Sequence, residues 1–350
     1  MKSKIKAKGY DLLGYAGSDG IRYAWTYMGS NQLLESAAFP QHRKDSCDNI
    51  SGYTTSVSLG CILQQMGYSC RFCKTGTQMQ FIDLLSPFDI AKQNVFMVLS
   101  DINCSEHKMC QQSPKEFAYM GQGEPGYSYI QLREAIKLTD IVMNMLGQKV
   151  HRHIISTVGI PEMIEAYKGD LRSSFYNNRV TLHYSLHATI ERQVIMPIEG
   201  KYSFLLVLNS MSGVKALSGE KPCIGILLFN EFSPKNSFVS YTNDLDHIIE
   251  ILHYIDPEYY RLSFCDFNAC EDVGNSKKYE KTVAHDVLEY ALNKGYDAKL
   301  FSSFGKEESS ACGMLGGKEP MMQPNLRWSK LENEAESLLL EANKILSNLN

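Results

Sequence analysis

The 350-residue sequence contains no apolar run approaching the ~18 residues that a membrane-crossing helix needs, which excludes a helical integral membrane protein. Its basic opening, Met1 to Gly9, is not followed by an apolar segment, so no secretory signal is expected and the expected location is cytoplasmic. Positive charge is not in excess: 35 Lys and Arg stand against 39 Asp and Glu, a net charge of −4. Nucleic-acid binding rests on phosphate contacts and usually leaves a basic footprint. Here such a footprint could only be local, around Lys2–Lys8 or the Lys149–Arg152 stretch. Neither an internal repeat nor a low-complexity tract is present.

Cysteine, by contrast, is plentiful. Ten thiols in a chain with no expected signal peptide do not suggest a disulfide framework, because the cytosol keeps thiols reduced. Metal binding or thiol chemistry is the better expectation for some of them. Cys223, inside the apolar run Cys223–Phe229, reads as an ordinary buried thiol. The remaining composition, 44% apolar and 21% charged, is that of a globular protein with room for one large α/β domain or two smaller ones.

Residues 1–50 read as an N-terminal extension carrying a β-hairpin, with Arg22–Met28 and Gln32–Phe39 joined at Gly29-Ser30-Asn31. Residues 51–320 read as the core. Ser86-Pro87 is an N-cap followed by Pro at the first helical position, and Phe88, Ala91, Val95, Val98 and Ile102 mark one helical face behind it. Phe117–Gly121, His153–Thr157, Val180–Leu186, Lys221–Phe229, Tyr259–Cys265 and Tyr296–Phe301 read as strands. Helical signals alternate with them: Ser128–Leu146, a helix opened by Pro161, and segments near 241–255 and 279–294. Residues 321–350 form a C-terminal helix, amphipathic over roughly 328–347. Alternating β-α units of this kind favour a parallel sheet, open or curled into a partial barrel, with chemistry at the C-terminal strand ends.

Four constellations carry possible chemistry. In Cys61-x8-Cys70-x2-Cys73, three thiolates can hold three irons of a [4Fe–4S] cubane and leave the fourth iron open. Spacing alone leaves zinc, which wants four ligands, and no metal as alternatives. Met120-Gly121-Gln122-Gly123-Glu124-Pro125 follows a strand; its glycines let backbone approach a ligand, and Glu124 could receive an ammonium group, or the stretch is a plain turn. Ala311-Cys312-Gly313 places a thiol in a Ser/Gly-rich loop. Cys104-x2-His107-x2-Cys110 has ligand types but lacks a fourth member, and reads as incidental. His183 and His187 are expected on one face of Val180–Leu186, where both could line a pocket.

Taken in order, these stretches resemble the RNA adenine methyltransferases of the RlmN/Cfr type, over about residues 20–320. The resemblance rests on Leu34-Glu35-Ser36 with Phe39-Pro40, Gly60-Cys61, Cys70-Arg71-Phe72-Cys73 and Met120 to Pro125. It continues through Ser156 to Pro161, Ser185-Leu186-His187-Ala188, Met196-Pro197-Ile198, Asn268 and Ala311-Cys312-Gly313. It implies an α/β fold, the radical S-adenosylmethionine (SAM) partial (β/α)6 barrel, and an enzyme with a [4Fe–4S] cluster on Cys61, Cys70 and Cys73. It further implies that Gly123 and Glu124 bind the methionine end of SAM and that Ser156, Ser185, His187 and Asn268 line the rest of its pocket. Glu35 would sit against the target base, and Cys312 would take a methyl group whose carbon then adds to adenine. An electron donor such as flavodoxin or ferredoxin is implied as a partner.

Three departures shape the expectation. Five extra residues precede Cys70 relative to the family spacing, which calls for a bulged loop. The family's helical RNA-binding domain has no counterpart before the hairpin, which favours an offshoot acting on a small molecule, nucleotide or peptide as the alternative to RNA. The family's second catalytic cysteine falls on Thr54, leaving Cys265, Cys270 or Cys47 as substitutes. A non-catalytic iron–sulfur sensor is the third reading, and one that needs neither Cys312 nor Glu124.

Overall fold

The computed structural model describes residues 2–10, 21–45, 48–103, 113–235, 237–268, 272–277, 279–301, 314–316 and 326–349. Ten strands form one sheet whose spatial order is the chain order. They are β1 (Ile5–Tyr10), β2 (Ile21–Tyr27), β3 (Leu33–Asp45), β4 (Asp48–Thr54), β5 (Lys115–Tyr119), β6 (Val150–Thr157), β7 (Val180–Ser185), β8 (Cys223–Leu228), β9 (Arg261–Asp266) and β10 (Asp297–Phe301). The joins from β1 to β4 are antiparallel and every later one is parallel. The expected hairpin is β2–β3, turned at Gly29 with φ +89°, and it is continuous with the sheet through β4.

Helices fill the crossovers, as parallel strands require. After β4 come the short α1 (Ile62–Gln65) and α2 (Lys74–Gln78), then α3 (Pro87–Ile102); α4 (Tyr129–Met145) follows β5 and α5 (Pro161–Arg172) follows β6. Between β7 and β8 lie α6 (Arg192–Ile195), α7 (Phe204–Ser210) and α8 (Val214–Ser218). The helices α9 (Leu245–Leu252), α10 (Lys281–Asn293) and α11 (Leu326–Leu349) complete the chain. Ser86 caps α3 by accepting from the Asp89 N–H at 3.1 Å, with Pro87 at the first helical position.

Strand alternation splits the sheet into two chemically different faces. Tyr53, Tyr119 and His153 point to the helices, where they meet Asp101 (2.6 Å), Asn94 (3.2 Å) and Asp140 (2.8 Å). By register, Leu182, Tyr184, Ile224, Ile226 and Phe264 share that face, and it is buried. The opposite face carries Glu35, Thr54, Ala118, Ser156, His183, Ser185, Gly225, Ser263 and Cys265, which are small or polar. Larger apolar residues on the same face include Ile154 and Leu227.

Helix α3 departs from the one-faced pattern expected of it. Phe88, Ala91, Val95 and Val98 are buried as expected, but so are Lys92, Gln93 and Asn94. On one side α11 covers Lys92, whose Nζ donates to Glu332 (2.7 Å), Glu336 (2.5 Å) and the Ile5 carbonyl (2.9 Å); on the other, Gln93 meets Ser36 and Ser56, and Asn94 meets Tyr119 and Thr139. A buried ammonium is tolerated here because carboxylates and a carbonyl replace its water.

Candidate functional site

The three cysteines lie in the connection from β4 to α3. Gly60 turns the chain with φ +75° into Cys61, where a Cβ would strike the Gln80 carbonyl. Cys61 is the N-cap residue of α1 and Cys73 that of α2, while the Cys73 N–H donates to the Cys70 carbonyl at 3.3 Å. Backbone N–H groups of Leu63 and Gln64 stabilise a Cys61 thiolate, and those of Thr75 and Gly76 a Cys73 thiolate. All three cysteines are free of disulfides. Burial nevertheless pushes the Cys61 thiol up to about 12, Cys70 well above the ordinary thiol range, and Cys73 above it. Neighbouring thiols add to the rise at Cys61 and Cys70, so the sulfurs share one low-dielectric locus.

This donor set fits a cluster better than zinc. Zn–S bonds of ~2.3 Å draw sulfurs within about 4 Å of one another, and among the described residues no three ligands converge on a single-ion site. Cubane ligands bind different irons and stand farther apart. The five extra residues before Cys70 are absorbed by α1 and the turn after it, as the long spacing requires.

Phe72 anchors this loop over the strand ends. Its ring meets His187 (5.3 Å between centroids), Phe229 (5.4 Å) and Phe267 (6.4 Å), the residues just past β7, β8 and β9. The Arg71 N–H donates to the Ile195 carbonyl at 2.9 Å, adding α6. Thr75 donates to the Leu315 carbonyl at 2.7 Å, which holds the chain three residues past Cys312 against α2. Cys312 itself lies outside the described residues, as do Cys47, Cys270 and Cys104, His107 and Cys110.

The glycine loop after β5 is stitched to the segment after β4. The Val57 N–H donates to the Gln122 carbonyl (2.9 Å) and the Gly121 N–H to the Thr55 carbonyl (3.1 Å). Gly123 has φ +101°, and a Cβ there would collide with Ser58 Oγ. Glu124 is buried, and its carboxylate meets protein donors: Gly126 N–H (2.8 Å) and the Thr157 hydroxyl on Oε1, and Val158 N–H (3.0 Å) on Oε2. It therefore ties the end of β5 to the end of β6 and also raises the Cys61 and Cys70 thiols.

Ser156 and Ser185 sit half-buried near the ends of β6 and β7 on the polar face, and Asn268 is buried just beyond β9. Glu35 lies on the same face of β3, paired with Arg22 of β2 and accepting from Gln122 Nε2 at 3.2 Å. His187 corrects an expectation. Strand β7 stops at Ser185, so His183 and His187 do not share a strand face; His187 follows in the left-handed region, φ 60°. That turn lets its Nδ1 accept from the Leu227 N–H at 3.2 Å, which leaves Nε2 as the protonated nitrogen. His183 instead faces Arg261 at 3.3 Å.

One residue not singled out from sequence organises the strand ends. Arg192 is fully buried, donating to the carbonyls of Leu186 (2.9 Å) and Ser185 (3.4 Å) and to Glu199 (2.6 Å). Nothing in the Ile190-Glu191-Arg192 stretch marks it as other than a surface arginine. Burial and the Arg192 guanidinium push His187 down to about 3. The neutral ring is thus the folded form. As pH falls below the unfolded value near 6.5, the unfolded chain gains a proton that the fold refuses, so stability present above pH 6.5 is lost. The loss should reach roughly 2 kcal/mol by pH 5, and His187→Gln should flatten that part of a urea-midpoint profile. An identical acid slope in the variant would contradict the assignment.

No family model matches the chain. It is 29% identical over 269 residues to a protein of Pseudothermotoga lettingae named a probable dual-specificity RNA methyltransferase RlmN, covering 75% of this chain and 69% of that one. A protein of the same name from Petrotoga mobilis is 28% identical over 282 residues, covering 79% and 73%. The crystal structure of a radical SAM methyltransferase from Sphaerobacter thermophilus shares the fold, with TM-score 0.69 at 16% identity over 90% of this chain and 82% of that one. The parallel sheet and the ordered motifs at its strand ends agree with these relatives: in sequence the chain is similar to proteins named RlmN, and in fold to a radical SAM methyltransferase.

Proposed function

We propose that the protein transfers a SAM-derived carbon to a base in RNA, with Cys312 as the methyl acceptor on the way. The observation that supports this most is the convergence of three disulfide-free cysteines, Cys61 buried and Cys70 and Cys73 half-buried, with Glu124, His187 and the Leu315 segment over the strand ends. Relatives named as RNA methyltransferases supply the substrate class. When bound, a [4Fe–4S] cluster and SAM supply one-electron cleavage of the sulfonium and the carbon-radical chemistry that follows.

The chain's own residues do the rest. Cys61, Cys70 and Cys73 would hold the cluster, giving up thiol protons as it binds. The Gly123 backbone and the Glu124-tied loop would shape the end of the SAM pocket, with Ser156, Ser185, His187 Nε2–H and Asn268 along it. Glu35 would face the base, and a flavodoxin or ferredoxin would supply the electron. Thr54, half-buried at the end of β4, carries only a hydroxyl where the family uses a resolving thiol. Burial pushes Cys265 up to about 11, so roughly one molecule in 10³–10⁴ carries the thiolate at neutral pH. Cys265 is therefore a poor substitute.

The test is anaerobic reconstitution with methyl-labelled SAM, then mass spectrometry of the Cys312 peptide and of added ribosomal and transfer RNA. Label on both is expected, with RNA binding that weakens steeply as salt rises. Label on Cys312 alone would replace RNA with another substrate class, and label on neither would end this reading.

A further inference from the structure

Gln122 is completely buried, and its side-chain amide is only half used. Nε2 donates to the Leu33 carbonyl at 3.1 Å and to Glu35 Oε2 at 3.2 Å. Both partners are acceptors, which fixes the amide: the nitrogen faces β3 and the oxygen faces away. That oxygen, Oε1, is buried with no hydrogen-bond donor among the described residues. Buried acceptors are normally satisfied, so an orphan beside a site asks for a reason.

The surroundings narrow it. The Gln122 backbone is pinned, because its N–H donates to Ser56 Oγ at 2.7 Å and its carbonyl accepts from the Val57 N–H. Ser56 in turn donates to the Glu35 carbonyl, so Gln122 and Glu35 form one rigid unit. The Glu35 carboxylate oxygens point to Arg22 and to Gln122 itself. A ligand meeting this corner finds an acceptor, the Gln122 oxygen. The complementary group is an N–H donor, and an exocyclic amino group offers two N–H bonds on one atom.

We infer that Gln122 is a specificity-determining residue whose Oε1 accepts a hydrogen bond from an amino group on the substrate base beside Glu35. This rests on the reading of Glu35 as the residue that meets the base. The loop that shapes the SAM pocket then also reads the substrate, through adjacent residues: Gln122 toward the base, Gly123 and Glu124 toward the cofactor.

The experiment measures binding to the reconstituted protein with SAM, so it does not depend on turnover. Two single-stranded RNA oligomers of uridines are compared, one with a single central adenine and one with purine there, which lacks only the 6-amino group. Wild type should prefer the adenine oligomer by roughly 10-fold or more, the scale of losing a hydrogen bond to a buried partner. Gln122→Met, similar in volume, should bring the two within about twofold with SAM affinity unchanged. Equal binding of both oligomers by wild type, or binding of neither, overturns the inference without any variant. Full discrimination retained in Gln122→Met also overturns it. Failure of the methyltransferase reading shows separately, as absence of SAM cleavage whichever oligomer is bound.

Discussion

Replacing Cys70 or Cys73 with alanine should abolish iron and sulfide binding on anaerobic reconstitution, from about four of each in the parent to a small residual. Among the described residues three thiols meet at this locus, so a cubane would lose one iron's anchor and open a second coordination position. Among the described residues the neighbouring groups are already committed: Glu124 is engaged by Gly126, Thr157 and Val158, and His187 uses Nδ1 as an acceptor. Folding should survive the change. Cys70 and Cys73 are half-buried, and Phe72 between them still packs on His187, Phe229 and Phe267. Cys223→Ala is the control, because that thiol is buried near Arg261 at the start of β8 and should leave iron content unchanged. A full complement of iron in a Cys61→Ala, Cys70→Ala, Cys73→Ala triple variant would contradict the ligand assignment.

Glu124→Ala should be the most damaging change in the glycine loop, destabilising the fold by about 3–5 kcal/mol. Removal of the carboxylate strands three donors, the N–H groups of Gly126 and Val158 and the Thr157 hydroxyl, where water has little access. It also severs the link between the ends of β5 and β6. Burial raises Glu124 above the ordinary carboxylate range while its donors pull it back. Glu124→Gln tests the charge separately: the shape stays, but an amide N–H then faces a donor, and a smaller loss is expected. The urea midpoint reads both. An unchanged midpoint in Glu124→Ala would mean that Glu124 contacts a ligand without bracing the strand ends.

How far the sequence reached depended on whether a signal was local. Ser86-Pro87 and Pro161 open helices where expected, because capping and fixed φ act within one turn. The strands of the core were legible from apolar runs, but β4 was not. Its sequence, Asp-Asn-Ile-Ser-Gly-Tyr-Thr, has few apolar residues, because one side faces the small and polar surface of the sheet. The burial of Lys92 was hidden for another reason: its partners Glu332 and Glu336 lie some 240 residues away on α11. The same holds for the site. Cys61, Cys70 and Cys73 announce themselves by residue type and spacing, whereas Arg192 acts through carbonyls of Ser185 and Leu186 that no side-chain pattern records. The left-handed turn of His187 past Ser185 was not legible, since histidine tolerates that conformation only with tertiary support such as the Leu227 N–H.

The central claim is that the three cysteines support radical SAM chemistry in this chain, and reductive cleavage of SAM tests it most directly. Reconstituted protein, chemically reduced under anaerobic conditions and given SAM, should release 5′-deoxyadenosine and methionine, and the Cys70→Ala variant should release neither. Protein that carries its full iron and sulfide, binds SAM and still yields no 5′-deoxyadenosine would contradict the account.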